Sequence, residues 1–146
     1  MKNYDLSRFV IKHKTDYPVA LAEIKAGKKQ SHWIWYIFPQ IKGLPVQSAN
    51  SHTYAIVDIE EARQFLADPY LGANLLEICN ALLELDSDNP YEVMDGGTDA
   101  RKLCSSMTLF SLADENQPVF KAVLDKFFHG RTDRKTIDIL KKSNTI

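Results

Sequence analysis

The sequence predicts an all-α fold: one compact multihelical domain of seven to nine mostly short helices, interrupted by an irregular loop around residues 39–57. Three observations carry this. Helix-capping and helix-stopping residues recur from end to end. Leu71, Leu75, Ile78, Leu82 and Leu85 are spaced four, three, four and three, the interval that lines up one face of a helix. The one strand-like run, Tyr54-Ala55-Ile56-Val57, has no second strand to pair with.

Taken in order, Asp5 can cap a first helix carrying Leu6, Phe9, Val10 and His13. Asp16 precedes a second, with Pro18 in its opening turn, Tyr17, Ala20, Leu21 and Ile24 as its stripe, and Gly27 as its stop. Ser31 can cap one or two turns reaching Phe38. Pro39, Gly43 and Pro45 then punctuate a polar stretch, long enough to signal a functional loop or a hidden short element. Asp58 with Glu61 makes a capping-box-like start for a helix burying Ala62, Phe65 and Leu66. Asp68-Pro69 opens the longest predicted helix. Asn89-Pro90 begins a short turn that Met94-Asp95-Gly96-Gly97 ends. Thr98 or Asp99 caps a helix with Leu103, Met107 and Phe110 inside. Asn116 and Pro118 start another, stopped by Gly130, and a last helix follows Thr132-Asp133 with Ile137 and Leu140 inward. The single domain spans residues 1–146, with the tail at 141–146 expected to fray.

At 146 residues, 45% hydrophobic and 25% charged, the chain has the bulk and composition of an ordinary soluble domain. No apolar run approaches the ~20 residues of a membrane span, and MKNYDLSRF lacks a signal-peptide core, so a cytoplasmic location is expected. Cys79 and Cys104 lack paired spacing and read as reduced thiols. Charge is uneven: residues 1–50 hold 8 Lys/Arg against 3 Asp/Glu, residues 51–100 hold 1 against 11, and residues 101–146 hold 9 against 5. Either the basic ends face the acidic middle, or they form a basic surface for an anionic ligand. A net charge of −1 argues against general nucleic-acid coating.

The chemically densest stretch is KKQSHWIWYIFPQ at 28–40, which holds both tryptophans. On a helix Trp33 and Trp35 would point ~200° apart, too far to share one buried face. Large amphipathic rings and polar groups on so little backbone suit a pocket wall or a tightly packed corner. A second candidate is the helix around residues 99–110, where Lys102, Ser105 and Ser106 share one face. Behind a Thr- or Asp-capped N-terminus, such a face can hold a phosphate or carboxylate. The alternative is a solvated face with serines bonded back to the backbone.

Other chemistries find little support. His13, His32, His52 and His129 are scattered without metal-ligand spacing, and no metal site is expected. The string Asp86, Asp88, Glu92, Asp95, Asp99 lacks calcium-loop order. Lys102 could lower the pKa of Cys104, but no base is marked for it. Phosphate-loop, dinucleotide and nucleophile-elbow signatures are absent, and no cofactor is implied.

With SHWIWYIFPQ at 31–40, Tyr54-Ala55-Ile56, EARQFLADPYLGANLLE at 61–77, KLCSSMTLF at 102–110 and VFKAVLDKFFHGRTDRKTIDIL at 119–140, the chain resembles the bacterial domain-of-unknown-function family 1810. Some members carry the label "calpastatin". The resemblance extends from Asp5 to Leu140 and implies a compact multihelical domain without established catalytic residues. An inhibitor of that kind is expected to be disordered, repeated and proline-rich, whereas this chain has no repeats and a large apolar content. The polar-aromatic motif near 32, the basic helix near 102 and Lys126-Phe127-Phe128 are also similar in layout to small helical N-glycosidases acting on ribosylated amines. That similarity implies Asp99 as the group stabilising a developing ribosyl cation.

Two functional expectations follow. The first is a Trp-lined pocket for a small anionic, nucleotide- or phosphosugar-like ligand, walled by His32, Trp33, Trp35 and Gln40 and faced by Lys102, Ser105 and Ser106, with Lys28, Lys29 or Lys102 meeting phosphate. The second is a non-catalytic module that docks a protein partner on its aromatic and basic face.

Overall fold

The computed structural model describes residues 3–45 and 47–143, and over these the chain is all helical. The helices are α1 Ser7–Lys25, α2 Ile34–Ile37, α3 Ala49–Thr53, α4 Ile59–Ala67, α5 Pro69–Glu84, α6 Pro90–Val93, α7 Gly97–Ala113, α8 Val119–Phe128 and α9 Arg134–Lys142. The last helix includes Lys141 and Lys142, so the segment expected to fray begins inside it, and 144–146 lie outside the described residues.

The two predicted N-terminal helices are one. Helix α1 runs through Asp16 and carries Pro18 in its interior, and at 19 residues it, not α5, is the longest. Apolar burial overrides the local breaker: Phe9, His13, Tyr17, Ala20 and Ile24 form one continuous buried stripe across the proline. Capping elsewhere follows side-chain chemistry. Asp58 accepts from the Glu61 amide, and Asp68 accepts from the amides of Tyr70 and Leu71 ahead of Pro69. The Glu61 carboxylate does not close a capping box. It takes the Val57 amide at 2.8 Å and both Arg8 guanidinium nitrogens.

The loop at 39–57 hides the short helix α3, capped by Ser48, and one parallel bridge between Ile41 and Ile56. Ile56 donates to the Gln40 carbonyl, and Lys42 donates to the Ile56 carbonyl, both at 2.8 Å. The strand-like run is therefore a single bridged residue pair. It pins the loop's two ends to each other.

The core runs through Phe9, Phe65, Leu71, Ile78, Phe110 and Phe120, all fully buried. Helix α4 meets α5 at a corner where Gly72 leaves no room for a side chain: a Cβ there would lie 2.1 Å from the Leu66 carbonyl oxygen. Helix α7 lies at the centre, packing against α2, α4, α6, α8 and α9. Any group on its N-terminal turns is thus held by several rigid neighbours. No helix of the described residues is long and apolar enough to cross a membrane.

Candidate functional site

The tryptophan segment is a polar knot anchored on α1. Glu23 accepts from the Gln30 amide, the Ser31 amide and hydroxyl, and the Trp33 indole N–H, the last at 2.9 Å. Ser31 is occupied there, so it does not cap α2, whose N-cap is Trp33 without a side-chain cap. Desolvation raises the Glu23 pKa, but these hydrogen bonds outweigh it and hold the carboxyl down at about 2. Trp33 is 1% exposed and belongs to the core. Trp35, pointing the other way, is only partly buried, and the exposed His32 ring stacks beside it with centroids 6.5 Å apart.

Lysines link this knot to α7. The Lys29 ammonium is buried over the Trp33 ring, 5.0 Å from its centroid, and bonds Asp99 Oδ2 at 2.9 Å. The Lys102 ammonium lies 3.7 Å from Asp99 Oδ1 and 5.5 Å from the Trp35 ring centroid. Asp99 is therefore bracketed by two cations. Its charge is already neutralised, which weighs against its use as an electrostatic partner for a ribosyl cation. Lys28, by contrast, is exposed and pairs with Asp95.

Gln40 ties the loop to the same helix by donating to Ser105 Oγ at 2.6 Å. Ser105 and Ser106 are both buried: Ser105 bonds back to the carbonyls of Arg101 and Lys102, and the Ser106 hydroxyl has no partner among the described residues. Neither serine faces solvent. What opens beside them is a cleft of about 470 Å³ between the loop and α7, lined by Gln40, Gln47, Thr98, Arg101, Lys102 and Lys135 among others. Among the described residues no carboxylate lines it. Helix α7 begins at Gly97 rather than behind a Thr98 or Asp99 cap, and no side chain caps it. The turn Asp95-Gly96 takes positive φ at both residues, and this brings Thr98 inside the helix, on the cleft.

The structure thus brings Gln40 and Lys102 to one cleft, holds Trp35 and His32 behind Lys102, and seals Trp33, Ser105 and Ser106 inside. Several cleft groups escaped the sequence reading, Thr98, Arg101 and Lys135 among them. Thr98 was masked by its resemblance to a cap. Arg101 stood next to Lys102 and carried signal as a polar residue on a core-rich helix. Lys135 comes from α9, and only tertiary packing delivers it.

A second, larger cleft of about 680 Å³ lies on the other side of α7, between α6 and the segment leading into α9. Cys104 lines it, but burial, and then the charge of Asp133, push its thiol up to about 11, so Lys102 does not activate it. Among the described residues no group of three or more His, Cys, Asp or Glu is placed to hold a metal ion.

Residues 3–140 match the model of a family described as "Protein of unknown function (DUF1810)". The chain belongs to this family. A solved structure, the conserved hypothetical protein Rv1873 from Mycobacterium tuberculosis, is similar at 37% identity and a TM-score of 0.90, covering 94% of this chain and 97% of that one. The all-helical architecture implied by the motifs at 31–40, 61–77, 102–110 and 119–140 is the architecture of this relative. No curated protein matches significantly.

Proposed function

We propose that the cleft between the 39–57 loop and α7 binds a small phosphorylated anion of nucleotide or phosphosugar type, in a cytoplasmic setting. One observation carries the reading: Arg101, Lys102 and Lys135 converge on a cavity that no described carboxylate lines. Lys102 keeps Asp99 at 3.7 Å, but Arg101 and Lys135 bring two further positive charges to the same cavity, and an anion relieves the mutual repulsion of these cations. Arg101 and Lys135 enter no ion pair among the described residues, so neither must give up a partner to bind. Thr98 and Gln40 add neutral hydrogen-bonding groups, as selective small-molecule sites do. The proposal assigns no bond-breaking step to the cleft. A docking surface for a protein partner has less support, because the exposed large apolar residues Ile11, Val19, Val57, Tyr70 and Tyr91 lie on four separate segments.

The test is titration with pyrophosphate, ribose 5-phosphate and ADP, following melting temperature and tryptophan emission. A ligand at a hundredfold excess over its Kd stabilises the folded state by about 2.7 kcal/mol. Trp35 lies under Lys102 and reports on that ammonium directly. Silence from all three ligands, in both readouts, refutes the proposal.

A further inference from the structure

Arg101 belongs to both clefts. It lines the smaller one with Lys102 and Lys135 and the larger one with Tyr91, Phe128 and Arg131. Helical geometry explains this. Thr98 and Lys102 point to one side of α7, Ala100 and Cys104 to the other, and Arg101 falls between them at ~100° per residue. The approach to α9 is shared in the same way, with Arg131, Thr132 and Asp133 on the larger cleft and Lys135 on the smaller. The loop at 131–133 is fixed to α7 by the Asp133 amide, which donates to Thr108 Oγ1 at 2.8 Å.

The two clefts differ in chemistry. Described residues give the smaller one cations and no carboxylate. The larger one mixes Arg131 with Asp88 and Asp133 and adds the rings of Tyr91, Phe127 and Phe128. Anionic groups therefore favour the first and a neutral, flat group the second. Tyr91 is 62% exposed, so its ring is open to solvent beside the larger cleft. Its ring lies over Gly97: a Cβ on that glycine would be 3.5 Å from the ring and 3.7 Å from the Arg101 guanidinium. Ring and guanidinium thus both approach Gly97, the first residue of α7.

Building on the anion-binding reading above, we infer that the ligand is a nucleoside diphosphate lying across Arg101. Its phosphates occupy the smaller cleft, and its base occupies the larger one against Tyr91. Arg101 meets the phosphate next to the sugar. Volumes of about 680 and 470 Å³ each fall within the range of small-molecule sites.

The experiment measures calorimetric affinities of the full chain for pyrophosphate, ADP, GDP and UDP, in wild type, Tyr91→Ala and Arg101→Ala. At least one nucleoside diphosphate is expected to bind about tenfold more tightly than pyrophosphate, the scale of one base–aromatic stack. Tyr91→Ala, at an exposed position, erases that advantage and leaves pyrophosphate binding unchanged, and Arg101→Ala weakens both. Pyrophosphate binding with no gain from any nucleoside overturns this inference alone, as does a gain that survives Tyr91→Ala. Absence of binding by pyrophosphate and every nucleoside diphosphate overturns it, and silence from ribose 5-phosphate as well overturns the anion-binding reading with it.

Discussion

Gln40 and Ser105, 65 residues apart in sequence, are joined by a 2.6 Å hydrogen bond from the Gln40 side-chain amide to the buried Ser105 hydroxyl. The bond fixes the loop's first residues against α7 and holds Gln40 at the edge of the cationic cleft. Ser105→Ala removes the acceptor without changing shape much. It is expected to lower stability by about 1–3 kcal/mol, the cost of a partly buried polar group left unpaired. It should also weaken pyrophosphate binding several-fold. Denaturant unfolding and calorimetry check the two effects. Unaltered affinity would mean that Gln40 takes no part in the site.

Asp99 and Lys102 should separate structure from binding. Asp99→Ala strands the buried Lys29 ammonium and is expected to cost about 3–5 kcal/mol. Lys102→Ala leaves the Lys29–Asp99 pair intact and removes a pair that is only 3.7 Å close and partly solvated, so its cost should stay below about 1 kcal/mol. The same variant should abolish the anion-dependent rise in melting temperature. If Lys102→Ala unfolds the protein, that face is structural and not a binding surface.

Glu23 gives the acid stability profile a defined limb. Its carboxyl is depressed in the folded state from an ordinary 4.5 to about 2 by the hydrogen bonds of the tryptophan segment. The folded state therefore binds fewer protons than the unfolded one between those values. Its stabilising contribution is complete above about pH 4.5 and is lost as pH falls towards 2. Glu23→Gln should flatten this limb and, by uncoupling the Trp33 indole, alter tryptophan emission at neutral pH. A stability curve of unchanged slope below pH 4.5 would contradict the assignment.

His13 sets a second limb at higher pH. Its ring is buried between the Tyr36 carbonyl at 2.8 Å and the Asn74 amide at 3.1 Å, and burial lowers its pKa. A neutral ring that donates from Nε2 and accepts at Nδ1 satisfies both neighbours. The unfolded chain takes up a proton below 6.5 before the folded one does, so stability should decline as pH falls through that value. His13→Gln should remove this decline while lowering stability at neutral pH, measured by unfolding at pH 5 and pH 8.

The sequence made several local features legible because their causes are local. The caps at Asp58, Asp68, Asn89 and Asp133 are formed within two or three residues of the side chains concerned. The stripe from Leu71 to Leu82 is buried as its period requires. Pro18 and Ser31 misled for the same reason. Asp16 with Pro18 reads locally as the start of a second helix, but a buried stripe on both sides keeps α1 whole. Ser31 reads locally as a cap, but Glu23, eight residues back, takes its hydroxyl. The charge imbalance was legible only as two alternatives, of which the structure shows the pairing of the basic start with the acidic middle. Arg8, Lys28 and Lys29 from the basic start pair with Glu61, Asp95 and Asp99 of the acidic middle, while Arg101, Lys102 and Lys135 from the basic end line the cleft.

By itself, then, the sequence determined the helical class, most helix starts and the family, since these follow from neighbouring residues or from motif order. Tertiary structure decided which polar groups are free to act. It buried Trp33, Ser105 and Ser106, neutralised Asp99 between two lysines, and carried Lys135 from α9 to the cleft. The physical reason is that a side chain's availability depends on what other segments place against it, and those segments lie tens of residues away along the chain.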